Sequence, residues 1–71
     1  MSALTRYSLT GVGRSAMFAD DSARGRIQRC LDNGSALTCP EIVRASSKPH
    51  PIVRREISRM LLDCQLRRVT E

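Results

Sequence analysis

The sequence predicts a mainly helical fold with a small β-sheet, and three observations carry that prediction. Thr38-x-x-Glu41 is a capping-box pattern, which marks the start of a helix. The turn Ser46-Ser47-Lys48-Pro49-His50-Pro51 then leads into a longer amphipathic stretch. After that stretch, Gln65-Leu66-Arg67-Arg68-Val69-Thr70 alternates Leu66 and Arg68 against Arg67 and Val69, as a short strand does.

Residues 1–15 are rich in Ser, Thr and Gly, and Gly11 and Gly13 weaken any regular element there. They are expected to be a flexible basic arm or, over residues 6–10, a short edge strand. Residues 16–71 are expected to form the folded domain. Its first helix falls within 16–34. Ser15 caps one version of it. Asp20, Asp21 or Ser22 caps another that begins near Ala23, with the acids at the positive end of the helix. Ala23, Ile27, Cys30 and Leu31 share one face, and Arg24, Gln28 and Asp32 take the opposite side. Gly25 costs such a helix roughly 1 kcal/mol relative to Ala. Asn33-Gly34 supplies the stop, because Gly accepts the left-handed conformation that ends helices.

Ser35-Ala36-Leu37 suits a very short strand. The second helix starts at the capping box, with Pro40 in the first turn, where its missing N–H is not needed. Ile42, Val43 and Ala45 supply its buried side, and it ends near Ser46. The third helix is expected over residues 51–64, with Pro51 at its first position. At about 100° per residue, Val53, Ile57, Met60, Leu61 and Cys64 fall in one apolar sector. Arg54, Arg55, Ser58 and Arg59 occupy another. Leu62 projects into the basic side, either to pack under the following strand or to make a dimer contact.

Size and composition bound the rest. Seventy-one residues make one domain at most and bury only a small core. Tyr7 and Phe18 are the only aromatic residues, so that core must be aliphatic. No apolar run approaches the roughly 20 residues of a membrane span, and no secretory signal stands at the start. Three cysteines without such a signal fit reduced thiols in a cytoplasm. Cys30 and Cys64 read as small core residues. Cys30, Cys39, His50 and Cys64 lack the paired spacing by which one tight turn presents two ligands, so no metal or other cofactor is expected. His50 is the only histidine and has no carboxylate near it in sequence, so no catalysis is expected either.

The net charge is +5, and every basic residue except Lys48 is an arginine. Arginine offers a planar, permanently charged fork suited to phosphate and to guanine edges. An anionic partner is therefore expected, with nucleic acid first and an acidic protein or membrane surface behind it.

The order of elements, with Leu37, Thr38, Glu41 and Ile42, then Val53, Arg54, Ile57, Met60 and Leu61, then Leu66 and Arg68, resembles the winged helix-turn-helix of small bacterial, phage and plasmid transcription regulators. The resemblance covers residues 23–70. It implies three helices with a short or rudimentary wing, and a recognition helix at 51–64 in the major groove of double-stranded DNA. The implied contacts are Lys48, His50, Ile52, Arg54, Arg55, Ser58, Arg59, Arg67 and Arg68. Ile52, Arg55 and Arg59 would face bases, and Lys48 and Arg68 would face phosphates. A homodimer on a two-fold site is also implied, with Leu62, Met17 and Phe18 as candidate contacts.

Two features depart from that family. The residue between recognition helix and strand is usually Gly, and here it is Gln65. A wing also needs another strand, which must come from around residues 7–10 or be rudimentary. The same fold could instead serve as an interaction module for an acidic partner protein, binding no DNA. A regulator that senses metal or redox state through the three thiols is a third class.

Overall fold

The capping box forms as its pattern requires. Thr38 Oγ1 accepts from the Glu41 amide at 3.4 Å, and Glu41 Oε1 accepts from the Thr38 amide at 2.9 Å. These bonds satisfy two of the donors a helix start leaves open. The protein, described over residues 5–69 by a computed structural model, is a mainly helical domain. Four helices and a three-stranded antiparallel sheet occur among the described residues. In chain order they are β1 (Arg6–Leu9), α1 (Gly11–Ser15), α2 (Ala23–Leu31), β2 (Leu37–Thr38), α3 (Cys39–Ser46), α4 (His50–Leu62) and β3 (Leu66–Val69).

The sheet runs β2-β1-β3. The expected edge strand is therefore the central one. Tyr7 pairs with both Leu37 and Arg68, and Leu9 pairs with Leu66. The first strand joins the last because the two bury Leu9 and Leu66 together, at 5% and 3% exposure. Residues 1–4 of the expected arm and Thr70 of the expected last strand lie outside the described residues.

The helix expected within 16–34 starts at the later of its two candidate caps. Ser22 Oγ accepts from the Gly25 amide at 3.0 Å and opens α2. Gly25 is required there, since a Cβ would stand 2.2 Å from the Ala19 carbonyl oxygen. The stop is at Gly34, with φ +84° and its N–H donating to Leu31 O at 3.1 Å.

Helix α1 was not expected, because its glycines weaken helices. Gly13 is nevertheless held by the packing: a Cβ on it would lie 1.9 Å from the Gln65 carbonyl oxygen. Thr10 caps α1 and fixes it to the same turn. Its side chain accepts from the Gly13 amide at 3.1 Å and donates to the Cys64 carbonyl oxygen, and its amide donates to Gln65 O at 3.2 Å. Gln28 Nε2 donates to Gly13 O and Ala16 O, tying α1 to α2.

The core is aliphatic: Leu9, Ile27, Leu31, Ile42, Val53, Ile57, Met60 and Leu66 are buried together. Burying a side chain of this kind contributes about 1.5–3 kcal/mol. Two expected core positions are exposed. Ala45 is exposed, and Ser46 takes its place at 1% exposure, its hydroxyl donating to Val43 O. Cys64 is exposed with φ +60°, because α4 ends at Leu62 rather than at residue 64. There the Gln65 amide donates to Met60 O and the Cys64 amide to Leu61 O, a pattern that needs a left-handed residue between them. The residue in that conformation is thus Cys64 and not Gln65. Leu62 is 83% exposed and does not pack under β3. No helix among the described residues is long and apolar enough to cross a membrane.

Candidate nucleic-acid interface

Helix α4 follows α3 after a short turn. Ser47 ends α3 in the left-handed conformation, φ 58°, and its amide donates to Val43 O at 3.2 Å. The Lys48 amide donates to Ser46 Oγ at 3.4 Å. Pro49 stands at the N-cap of α4 and Pro51 lies in its first turn. Val53, Ile57 and Met60 bury the inner side of α4. His50, Arg54, Arg55, Ser58 and Arg59 are left exposed, while Lys48 and Ile52 are half-buried.

That exposed arc has two flanks. On the α2 side stands Glu56, its side chain only 12% exposed, accepting from Arg24 Nε at 2.8 Å. Arg24 also reaches Asp63 at 2.9 Å and Gln65 at 3.4 Å. Arg55 and Arg59 approach the same Glu56 carboxylate at 3.6 and 3.9 Å. The hydrogen bond from Arg24 holds the Glu56 carboxyl below the usual carboxylate range against the opposing effect of burial, with the charges of Arg24, Arg59 and Arg55 adding to it. The same hydrogen bond raises the Arg24 guanidinium. Ile52, Arg55 and Glu56 border a cleft of about 460 Å3 with Met17 and Phe18 opposite.

On the sheet side, Arg54, Ser58 and Leu61 of α4 meet Tyr7 of β1, Arg68 of β3 and Cys39 of α3 around a smaller cleft of about 130 Å3. Strand alternation puts Arg68 on this face beside Tyr7, its cross-strand partner. Arg67 therefore points to the other face, where its Nε donates to Ser8 Oγ at 3.1 Å. Both arginines stand among the expected contacts, and the alternation expected of this strand puts them on opposite faces.

Cys39 Sγ lies 3.8 Å from His50 Nε2. Burial pushes the Cys39 thiol up, partly offset by the Arg54 charge, so at neutral pH it stays a protonated thiol and a poor nucleophile. Cys30 is raised by burial in the same way, and Cys30, Cys39 and Cys64 are all unbridged. No group of three or more His, Cys, Asp or Glu side chains is placed to hold a metal ion among the described residues.

Of the nine expected contacts, the fold gathers Arg54, Ser58 and Arg68 at one cleft and Ile52, Arg55 and Arg59 about Glu56. His50 and Lys48 stand at the start of α4, and Arg67 stands apart. Sequence reasoning missed Tyr7 and Cys39 as members of the sheet-side cleft and the Arg24–Glu56–Asp63 cluster. The alternation of β3 carried the only hint of the former. No local signal carries the latter, since its members come from separate elements. Comparison of the chain with family models, with curated proteins and with solved structures gives no match.

Proposed function

We propose that this chain is a winged helix-turn-helix protein that binds double-stranded DNA as a small transcription regulator, with α4 as the helix that enters the major groove. The observation that carries this reading is the exposed arc of α4. It presents His50, Arg54, Arg55, Ser58 and Arg59 on a helix whose opposite side is anchored in the core. The short turn from α3 and the position of β1 support it. A wing places a strand beside the one that follows the recognition helix, and here β1 pairs with β3 in that position along its full length. The wing is then closed by the first strand of the chain rather than by a hairpin.

The test is titration of a labelled random duplex at two salt concentrations. Neutralising four to six phosphates predicts an affinity loss of about 100- to 1,000-fold between 50 and 200 mM salt. No binding at the lower salt removes the reading. Binding that survives Arg55→Ala with Arg59→Ala would move the contact off that flank of α4.

A second reading is carried by Leu62, which stands 83% exposed on the same helix. An apolar side chain beside arginines suits an acidic protein partner with an apolar centre. Under that reading the duplex titration gives nothing and Leu62→Glu abolishes capture of the partner.

A further inference from the structure

Among the described residues, the sheet-side cleft is lined by two arginines and by no Asp or Glu. Arg54 and Arg68 both border it, and among the described residues neither side chain has a hydrogen-bond or ion-pair partner. This contrasts with Arg24, Arg55 and Arg59, each of which reaches an acid. Two like charges brought to one concavity repel each other unless an anion lies between them. Around them stand two neutral hydrogen-bonding hydroxyls, Tyr7 and Ser58. The floor is apolar, formed by Ile57 and Leu61. The volume, about 130 Å3, is on the order of four water molecules, which is room enough for a small polyatomic anion.

We propose that this cleft is a seat for a tetrahedral oxyanion of the phosphate class. Arg54 and Arg68 supply charge-assisted hydrogen bonds, and Tyr7 and Ser58 donate to the remaining oxygens. The anion reaches the seat either as free phosphate or as one phosphodiester of a bound duplex. The seat itself stands whether or not the chain binds DNA. Under the DNA reading it assigns Arg54 to the backbone rather than to bases, and adds Tyr7 to the contact.

Tyr7 is the only tyrosine and the chain has no tryptophan, so intrinsic tyrosine emission reports on this cleft directly. The full chain is titrated with inorganic phosphate against chloride at matched ionic strength, and separately with a short duplex. Duplex binding is followed in parallel by anisotropy. Arg54→Gln with Arg68→Gln is compared with Arg14→Gln with Arg26→Gln, which removes the same charge from exposed arginines outside the cleft.

The expected result is a saturable change in Tyr7 emission with phosphate and none with chloride. Loss of each cleft arginine should weaken phosphate about tenfold, while the control pair leaves affinity within about twofold. A phosphate response without duplex binding supports the seat with a free anion as its occupant. A response to both supports the phosphodiester as well. Duplex binding with a silent Tyr7, no phosphate response and no effect of the cleft substitutions overturns the seat while leaving the DNA reading intact. A response lost equally in the control pair overturns it in favour of general charge attraction, and a silent Tyr7 with both probes also overturns it.

Discussion

The two flanks of α4 carry the same residue type in opposite states. On the α2 side Arg24, Arg55 and Arg59 share Glu56, and Arg24 continues to Asp63 and Gln65. On the sheet side Arg54 and Arg68 border one cleft with no acid among the described residues. The helix is one element, and its arginines would look equivalent in any count of charge. What separates them is whether an acid stands within reach, from α4 itself for Arg55 and Arg59 or from across the fold for Arg24. The satisfied flank binds α2, α4 and the turn before β3 to one another. The unsatisfied flank leaves charge available to an outside anion. Net charge therefore says less about function than the distribution of its partners does.

The largest way to break this division is at the base of the satisfied flank. Gln65 accepts from Arg24 through its side chain and from Thr10 through its carbonyl, and that carbonyl lies against Gly13. Gly13→Ala would put a Cβ 1.9 Å from it, against backbone that has no flexible side chain to give way. The turn before β3 must then move, taking Asp63 and Gln65 away from Arg24. A loss of about 3 kcal/mol is expected, and at this chain length the melting temperature should fall by roughly 10 °C or more. A calorimetric scan with an unchanged midpoint would show that α1 swings away freely and braces nothing.

The next effect separates the flanks by stability. Arg24→Met leaves Glu56, at 12% side-chain exposure, with only the longer contacts to Arg55 and Arg59. The expected cost is about 1–3 kcal/mol. Arg54→Gln with Arg68→Gln should stay within about 0.5 kcal/mol of the parent, since these side chains have no partner to lose among the described residues. The pH dependence follows from Glu56. Its carboxyl is depressed in the folded state by the Arg24 hydrogen bond. The stability it contributes is therefore complete above the ordinary glutamate range and is lost as pH falls through its lower folded value. Parallel melts from neutral pH to below pH ~4 should show the parent losing more than Arg24→Met over the acid limb. Equal slopes in the two proteins would mean that the cluster contributes little and that the flanks differ only in geometry.

Much of the fold is legible where the information is local. The capping box of Thr38 and Glu41, the Gly34 stop and the proline-bounded start of α4 each depend on neighbours a few residues away. The apolar sector of α4 is legible as well, because helical periodicity depends only on spacing. Its polar arc shares that legibility, and so His50, Arg54, Arg55, Ser58 and Arg59 are all found on the surface. What could not be read depends on elements far apart in the chain. Gly13 looks like a weak point until Gln65 is seen against it. Glu56 looks like one acid among arginines until Arg24 is brought to it from α2. Residues 6–9 look like an edge because their two partner strands lie about 30 and 60 residues later. The pattern identifies surfaces, and tertiary contact decides which charges on them are already satisfied.

The smallest effect sharpens the comparison at the turn that the satisfied flank leans on. Cys64 lies between Asp63 and Gln65, both bonded to Arg24, and its φ of +60° is a conformation that side chains disfavour. That conformation costs an L-residue roughly 1–2 kcal/mol, and Gly returns about half of the relief through the freedom it gives the unfolded chain. Cys64 is exposed, so Cys64→Gly gives up little packing. A net gain of about 0.5–1 kcal/mol in urea unfolding is expected, with the acid limb unchanged because Arg24 keeps both neighbours. A gain of that size shows that backbone bonding to Met60 and Leu61 sets this turn without help from the side chain. A loss would mean that the Cys64 side chain helps hold Asp63 and Gln65 in place. The order of the satisfied flank would then rest on the turn rather than on the ion pairs.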